Sequence, residues 1–173
     1  VIVVVDPKLP VKTLPELVAY AKANPGQVSF GYGNSIGQVV GASFAKRTGL
    51  DVITVPYKST PQAITDVVSG QVSYAVSDMA SGQSFVNSGR VRALAVSSKK
   101  RTPMMPDLPA VAETPGLEGF EVIAWVALFG PAGMPKDIVD KLNAVVRKAL
   151  TKPEVKERIA GFAADVASST PEE

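Results

Sequence analysis

The chain has neither cysteine nor histidine in its 173 residues. Without cysteine there is no disulfide, no thiolate nucleophile and no sulfur ligand for a metal. Without histidine, the side chain that most often moves protons near neutral pH is gone, and so is the commonest metal ligand. These two absences remove more chemistry than any motif adds, and no metal or cofactor is expected. A thiol-free chain suits the bacterial periplasm, and suits many cytosolic proteins too. Long apolar runs are also missing. Ile123–Phe129 is among the longest, far short of the about 20 residues a membrane helix needs. Net charge is only +2, too little to argue for nucleic acid as a partner. The one basic cluster, Lys99-Lys100-Arg101, precedes Thr102-Pro103 and reads as a solvated loop.

What is present is a strand–helix rhythm. The apolar content, 46%, is ordinary, and the length fits one large domain or two small lobes. Val1–Val5 reads as a buried strand. Leu14–Ala23 reads as a helix opened by Thr13-Leu14-Pro15-Glu16, which combines capping-box spacing with an early proline. Val28–Tyr32 and Val52–Val55 read as strands. A second helix starts near Ile36 or Gly37 and ends at Gly49, and a third starts at Pro61. Pro25-Gly26-Gln27-Val28, Ser69-Gly70-Gln71-Val72 and Ser88-Gly89-Arg90-Val91 each place glycine just past a helix end. Such alternation with short loops predicts right-handed crossovers and a mostly parallel sheet covered on both faces.

After Ser98 the rhythm breaks into a proline-rich connection over 99–118. Glu121–Phe129 reads as an extended strand crossing between lobes, with Trp125 and Phe129 packed between layers. Pro135–Leu150 is an amphipathic helix with Ile138, Val139, Leu142, Val145, Val146 and Ala149 on one face. Another helix covers Pro153–Ala163. Capping-box signatures stand at Thr151-Lys152-Pro153-Glu154 and at Thr170-Pro171-Glu172-Glu173. A chain that opens mid-sheet and closes on a helix start reads as a fragment.

Three strand ends run into polar corners: Gly31–Gln38, Tyr57–Pro61 and Ser77–Met79. In open α/β sheets ligands bind at that edge, because helix N-termini there present unpaired N–H groups and partial positive charge. The corners predict a binder of small anions. Candidate ligand contacts are Tyr32, Gly33, Asn34, Ser35, Gly37 and Gln38 in the first corner, Tyr57, Lys58, Ser59 and Thr60 in the second, and Asp78 in the third. Ser59 or Thr60 can also cap a helix, and Asp78 can do the same. Gly31, Gly33 and Gly37 approach a dinucleotide fingerprint, but the last glycine is one position late and Asp51 precedes the next strand instead of following it. Ser97-Ser98-Lys99-Lys100 has serine-acylase spacing, yet leads into a loop instead of a helix.

Several segments together resemble the Bug family, the periplasmic receptors of tripartite tricarboxylate transporters. They are Val55–Lys58, Gly70-Gln71-Val72, Gly89–Val96, Pro106–Glu113, Phe129–Pro135 and Thr170–Glu173. The resemblance implies a type II periplasmic-binding-protein fold: a three-layer α/β/α lobe plus parts of a second lobe. On it, residues 1–12 are a first-lobe strand and crossover, 13–122 the second lobe, and 123–173 a return crossover with first-lobe helices. It implies no catalysis. It implies a small carboxylate held between lobes by one loop from each, here Tyr32–Gln38, a loop several residues shorter than is usual in the family. Delivery to membrane permease subunits follows, with hinges near Ser97–Lys99 and Ile123–Ala127. Two other readings remain open at this point, an effector domain of a regulator and a Ser/Lys hydrolase.

Overall fold

Local signals set most element boundaries. In the computed structural model, which describes residues 1–161 and 164–173, helix α1 (Leu14–Ala23) begins where its cap lies: Thr13 Oγ1 accepts from the Glu16 N–H at 3.3 Å. The Glu16 carboxylate reaches back to the Lys12 N–H, one residue earlier than the usual reciprocal bond. Helix α2 (Ser35–Thr48) is capped by Asn34 and closed by left-handed Gly49. Gly26, Gly70 and Gly89 all take positive φ, as the three predicted returns require.

Strands β1 (Ile2–Val5), β2 (Ser29–Tyr32), β3 (Ile53–Pro56), β4 (Tyr74–Ser77) and β5 (Arg92–Val96) form one sheet in the order β3-β2-β4-β1-β5. β2 pairs parallel with β3 and β4. β1 runs antiparallel to both β4 and β5 and lies between them. Four strands therefore share a direction, as expected of a mostly parallel sheet, and one opposes them. All four residues of β1 are buried, which suits a central strand covered on both faces.

α1 and α2 cover one face. Leu14, Leu17 and Phe44 pack there with Val3, Phe30, Tyr74 and Val76. Phe30 and Tyr74 stack at 5.5 Å between ring centres, and Phe44 meets Tyr74 edge-on. Helices α3 (Thr60–Val68) and α4 (Met79–Asn87) lie against the strands through residues such as Ala63, Ile64 and Val67. This is the expected three-layer arrangement.

That unit spans Val1–Ala124; a second spans Trp125–Glu173. The second holds α5 (Lys136–Thr151) and α6 (Pro153–Ala160), which pack together. Phe162 and Ala163, the last residues of the expected final helix next to Gly161, fall outside the described residues.

Three expectations are corrected here. Glu121–Phe129 is not a strand: no ladder pairs it, and Trp125 and Phe129 are 71% and 78% exposed, touching each other at 6.2 Å instead of packing between layers. Val122 bonds with Ser97 just past β5, and among the described residues no strand ladder continues beyond it. Thr151 does not open α6; it is the last residue of α5 and its hydroxyl donates to the Lys148 carbonyl. Arg101 is not simply solvated, since its guanidinium grips the Glu113 carboxylate at 2.7 Å, and Glu113 in turn accepts from the Ala110 N–H. At the far end the Thr170 N–H does donate to the Glu173 carboxylate, one half of the expected capping box.

Candidate functional site

The sheet register brings the three polar corners side by side. Tyr32 is level with Pro56 on one side and Val76 on the other. The strands therefore end within about a residue of one another, and α2, α3 and α4 all begin at that edge. The Tyr57 N–H donates to the Tyr32 carbonyl at 2.9 Å, tying the first two corners.

Asn34 ties all three. Its Oδ1 accepts from the Gly37 N–H at 2.9 Å and so caps α2. Its Nδ2 donates to Thr60 Oγ1 at 3.2 Å, at the start of α3, and to Asp78 Oδ2 at 3.3 Å, at the start of α4. Asp78 Oδ1 accepts from the Ser81 N–H at 2.8 Å, the helix cap that the sequence allowed for it. Ser77, absent from the predicted set, is fully buried and donates to the Asp78 carbonyl at 2.7 Å. A buried serine at a strand end carries no signal of that partner.

Gly33 explains the closeness of the corners. A Cβ there would overlap the Ser59 carbonyl carbon and the Thr60 nitrogen. The glycine makes room for the backbone of α3, which is a different role from cradling a pyrophosphate. Gly37 is buried against the Val76 carbonyl. Ser35 and Gln38 are exposed on the first turn of α2.

The corners differ in charge. Neither α2 nor α3 has an acidic residue in its first turn. Ser59 occupies the cap position of α3 but makes no side-chain capping bond. The α3 terminus thus keeps N–H groups for a ligand or water. α4 already has a carboxylate, Asp78, at its terminus. An added anion is therefore favoured on the α2–α3 side.

Tyr57 lies beside this edge with its hydroxyl committed elsewhere, donating to Asp66 Oδ2 at 2.7 Å. Burial and that carboxylate push the phenol up to about 12. Lys58 is exposed and joins no ion pair among the described residues. Asp66 was missed by sequence reasoning: it lies nine residues on, in the last turns of α3, and nothing local marks it.

The Ser97/Lys100 pair does not assemble. Ser97 is fully buried and donates to the Val122 carbonyl at 2.7 Å, while Lys100 is exposed. The Ser97 backbone also accepts from the Val122 N–H and donates to the Val1 carbonyl. Its role is to join three chain segments. Among the described residues no cluster of acids suits a metal, and no helix is long and apolar enough to cross a membrane.

Comparison with known proteins places this geometry. A family model described as tripartite tricarboxylate transporter family receptor matches residues 1–172. A protein of the tcbD-tcbE intergenic region of Pseudomonas sp. strain P51 is 36% identical over 164 residues, covering 93% of this chain and 48% of that protein. Among solved structures, R. palustris Rpa4515 with adipate superposes with a TM-score of 0.85 at 28% identity, covering 99% of this chain and 57% of the other. MatC from Rhodopseudomonas palustris with bound malate gives a TM-score of 0.80 at 29% identity, covering 99% of this chain and 58% of the other. The chain spans about half the length of most of the curated relatives it matches. A single sheet with flanking helices, three helix starts gathered at one edge and a family match along nearly its whole length lead to one assignment: the chain belongs to the tripartite tricarboxylate transporter receptor family, the Bug family that its motifs resemble.

Proposed function

We infer that this chain forms one jaw of an extracytoplasmic receptor that closes on a small carboxylate. The observation carrying this is the convergence of the α2, α3 and α4 starts, tied through Asn34, with no acid in the first turns of α2 and α3. One carboxylate of the ligand would sit on N–H groups of the Asn34–Gln38 turn and of the α3 start, with Ser35, Gln38, Ser59 and Lys58 at its rim. Tyr32, Gly33, Gly37, Tyr57, Thr60 and Asp78 shape the floor and sides. Relatives bound to adipate and to malate support a dicarboxylate as the ligand class.

The second jaw would come from the other lobe, to which residues 123–173 would also contribute; β1, expected in that lobe, is instead a central strand of this jaw's sheet. Closure would be a hinge motion stabilised by contacts made only in the closed state. The family match supports delivery to membrane permease subunits from the periplasm. No bond is broken in this scheme, in keeping with a family of receptors.

Thermal unfolding against a panel of mono-, di- and tricarboxylates tests the reading. Binding to the native state raises the Tm by mass action. At least one acid is expected to shift the native protein, and replacing the exposed Lys58 by Glu is expected to weaken that shift several-fold. A panel with no active acid overturns the proposal.

A further inference from the structure

Asn34 has spent its whole amide inside the corner. Nδ2 carries two hydrogens, and both have partners, Thr60 Oγ1 and Asp78 Oδ2. Oδ1 serves the Gly37 N–H. The amide orientation is forced, because the Gly37 N–H needs an acceptor and the Asp78 carboxylate needs a donor. Its partners open three different helices. Thr60 is only 4% exposed, so that bond is shielded from water.

We propose that Asn34 is the positioning residue of the acid-binding corner: it holds the starts of α2, α3 and α4 in one arrangement and does not itself touch the ligand. The ligand half rests on the receptor reading above; the bridge rests on the three hydrogen bonds alone. A side chain with no free donor has nothing to offer a carboxylate. What it supplies is alignment of N–H groups from separate helices. By donating to Asp78 it also steadies a negative charge beside an anion site.

Asn34→Asp is the informative variant. It keeps an acceptor for Gly37, loses both donors and sets a second carboxylate against Asp78. Two carboxylates at such a distance favour uptake of one proton at raised pH. Once protonated, the new side chain can donate again. The variant should melt roughly 5 °C or more below the native protein near pH 8. That gap should close towards about pH 5.5. Combining Asn34→Asp with Asp78→Asn exchanges donor and acceptor, and should close the gap at both pH values. The native profile, run alongside, accounts for titration elsewhere in the protein. Thr13→Ala, which uncaps the distant α1, should lower the Tm with no recovery in acid.

The Tm shifts produced by adipate and by malate are read in Asn34→Ser, which keeps an α2 cap without adding a charge at the anion site: they should weaken together with a fall in the variant's own Tm. Loss of the acid response in Asn34→Ser at an unchanged Tm would make Asn34 a ligand contact and overturn the proposal. A pH-independent deficit in Asn34→Asp, uncorrected by the exchange, would overturn the bridge. If neither acid shifts the native protein, the receptor reading loses its support, while the melting pattern still decides the bridge.

Discussion

Gly33→Ala tests how closely the first two corners are pressed together. The added methyl would overlap the Ser59 carbonyl carbon and the Thr60 nitrogen, both backbone atoms at the start of α3. No side-chain rotation relieves such a clash, so α3 must back away from the β2–α2 turn. Forced overpacking costs about 1–3 kcal/mol. The retreat also stretches two hydrogen bonds, Asn34 to Thr60 and Tyr57 to Tyr32, each contributing about 1 kcal/mol. The sum is about 3–5 kcal/mol. At roughly 2–4 °C per kcal/mol for a chain of this size, the Tm should fall by about 10 °C. Gly49→Ala is the control. Gly49 has φ of 66° with nothing within 4 Å, so its cost is purely conformational, about 1 kcal/mol. Urea unfolding followed by circular dichroism measures both. A Gly33→Ala variant within about 1 kcal/mol of the native protein would refute the close approach of the corners.

Other outcomes follow from single side chains. Among the described residues the buried Tyr74 hydroxyl has no partner, and burial pushes its pKa up; Tyr74→Phe should therefore leave stability unchanged or raise it by about 1 kcal/mol, and a clear loss in urea unfolding would reveal a hidden partner. The Arg101 guanidinium, followed by the Ala110 N–H, holds the exposed Glu113 carboxyl down to about 2. Its folded pKa is depressed, so its stabilisation is full above the ordinary value near 4.5 and fades as pH falls through about 2; Glu113→Gln should flatten the acid limb of a Tm–pH curve in that window. Burial and Asp66 raise Tyr57 to about 12, so its contribution is full below pH 10 and is lost as pH rises through about 12. Tyr57→Phe should remove one late-titrating phenol from an ultraviolet titration, and an unchanged late phase would contradict the Tyr57–Asp66 bond.

Local features were legible in the residues themselves. Thr13 is read as a cap, and Asp78 is allowed as one, because a cap and the N–H it accepts from lie three residues apart; Asn34, read as a ligand contact, proves to cap α2 in the same way. Gly26, Gly70 and Gly89 are read as helix closures because a left-handed φ is a property of one residue. The motifs carried the family and the fold class for the same reason: they are contiguous strings. What needed the tertiary structure was every relation between distant segments. Val1–Val5 is an apolar run with no mark of direction, and only pairing with β4 and β5 made it antiparallel. Ile123–Phe129 has strand composition but no partner strand among the described residues, so it forms no strand and stays exposed. Ser97 shares a spacing with catalytic serines, yet the Val122 carbonyl, 25 residues on, takes its hydroxyl. The site follows the same division. Its residue types stood in the sequence, but Asn34 meets Thr60 across 26 residues and Asp78 across 44, because the register of β2 with β3 and β4 brings three helix starts to one edge. Caps, turns and motifs are short-range and so belong to the sequence; strand direction, the clash at Gly33 and the bridge through Asn34 exist only once the sheet has paired.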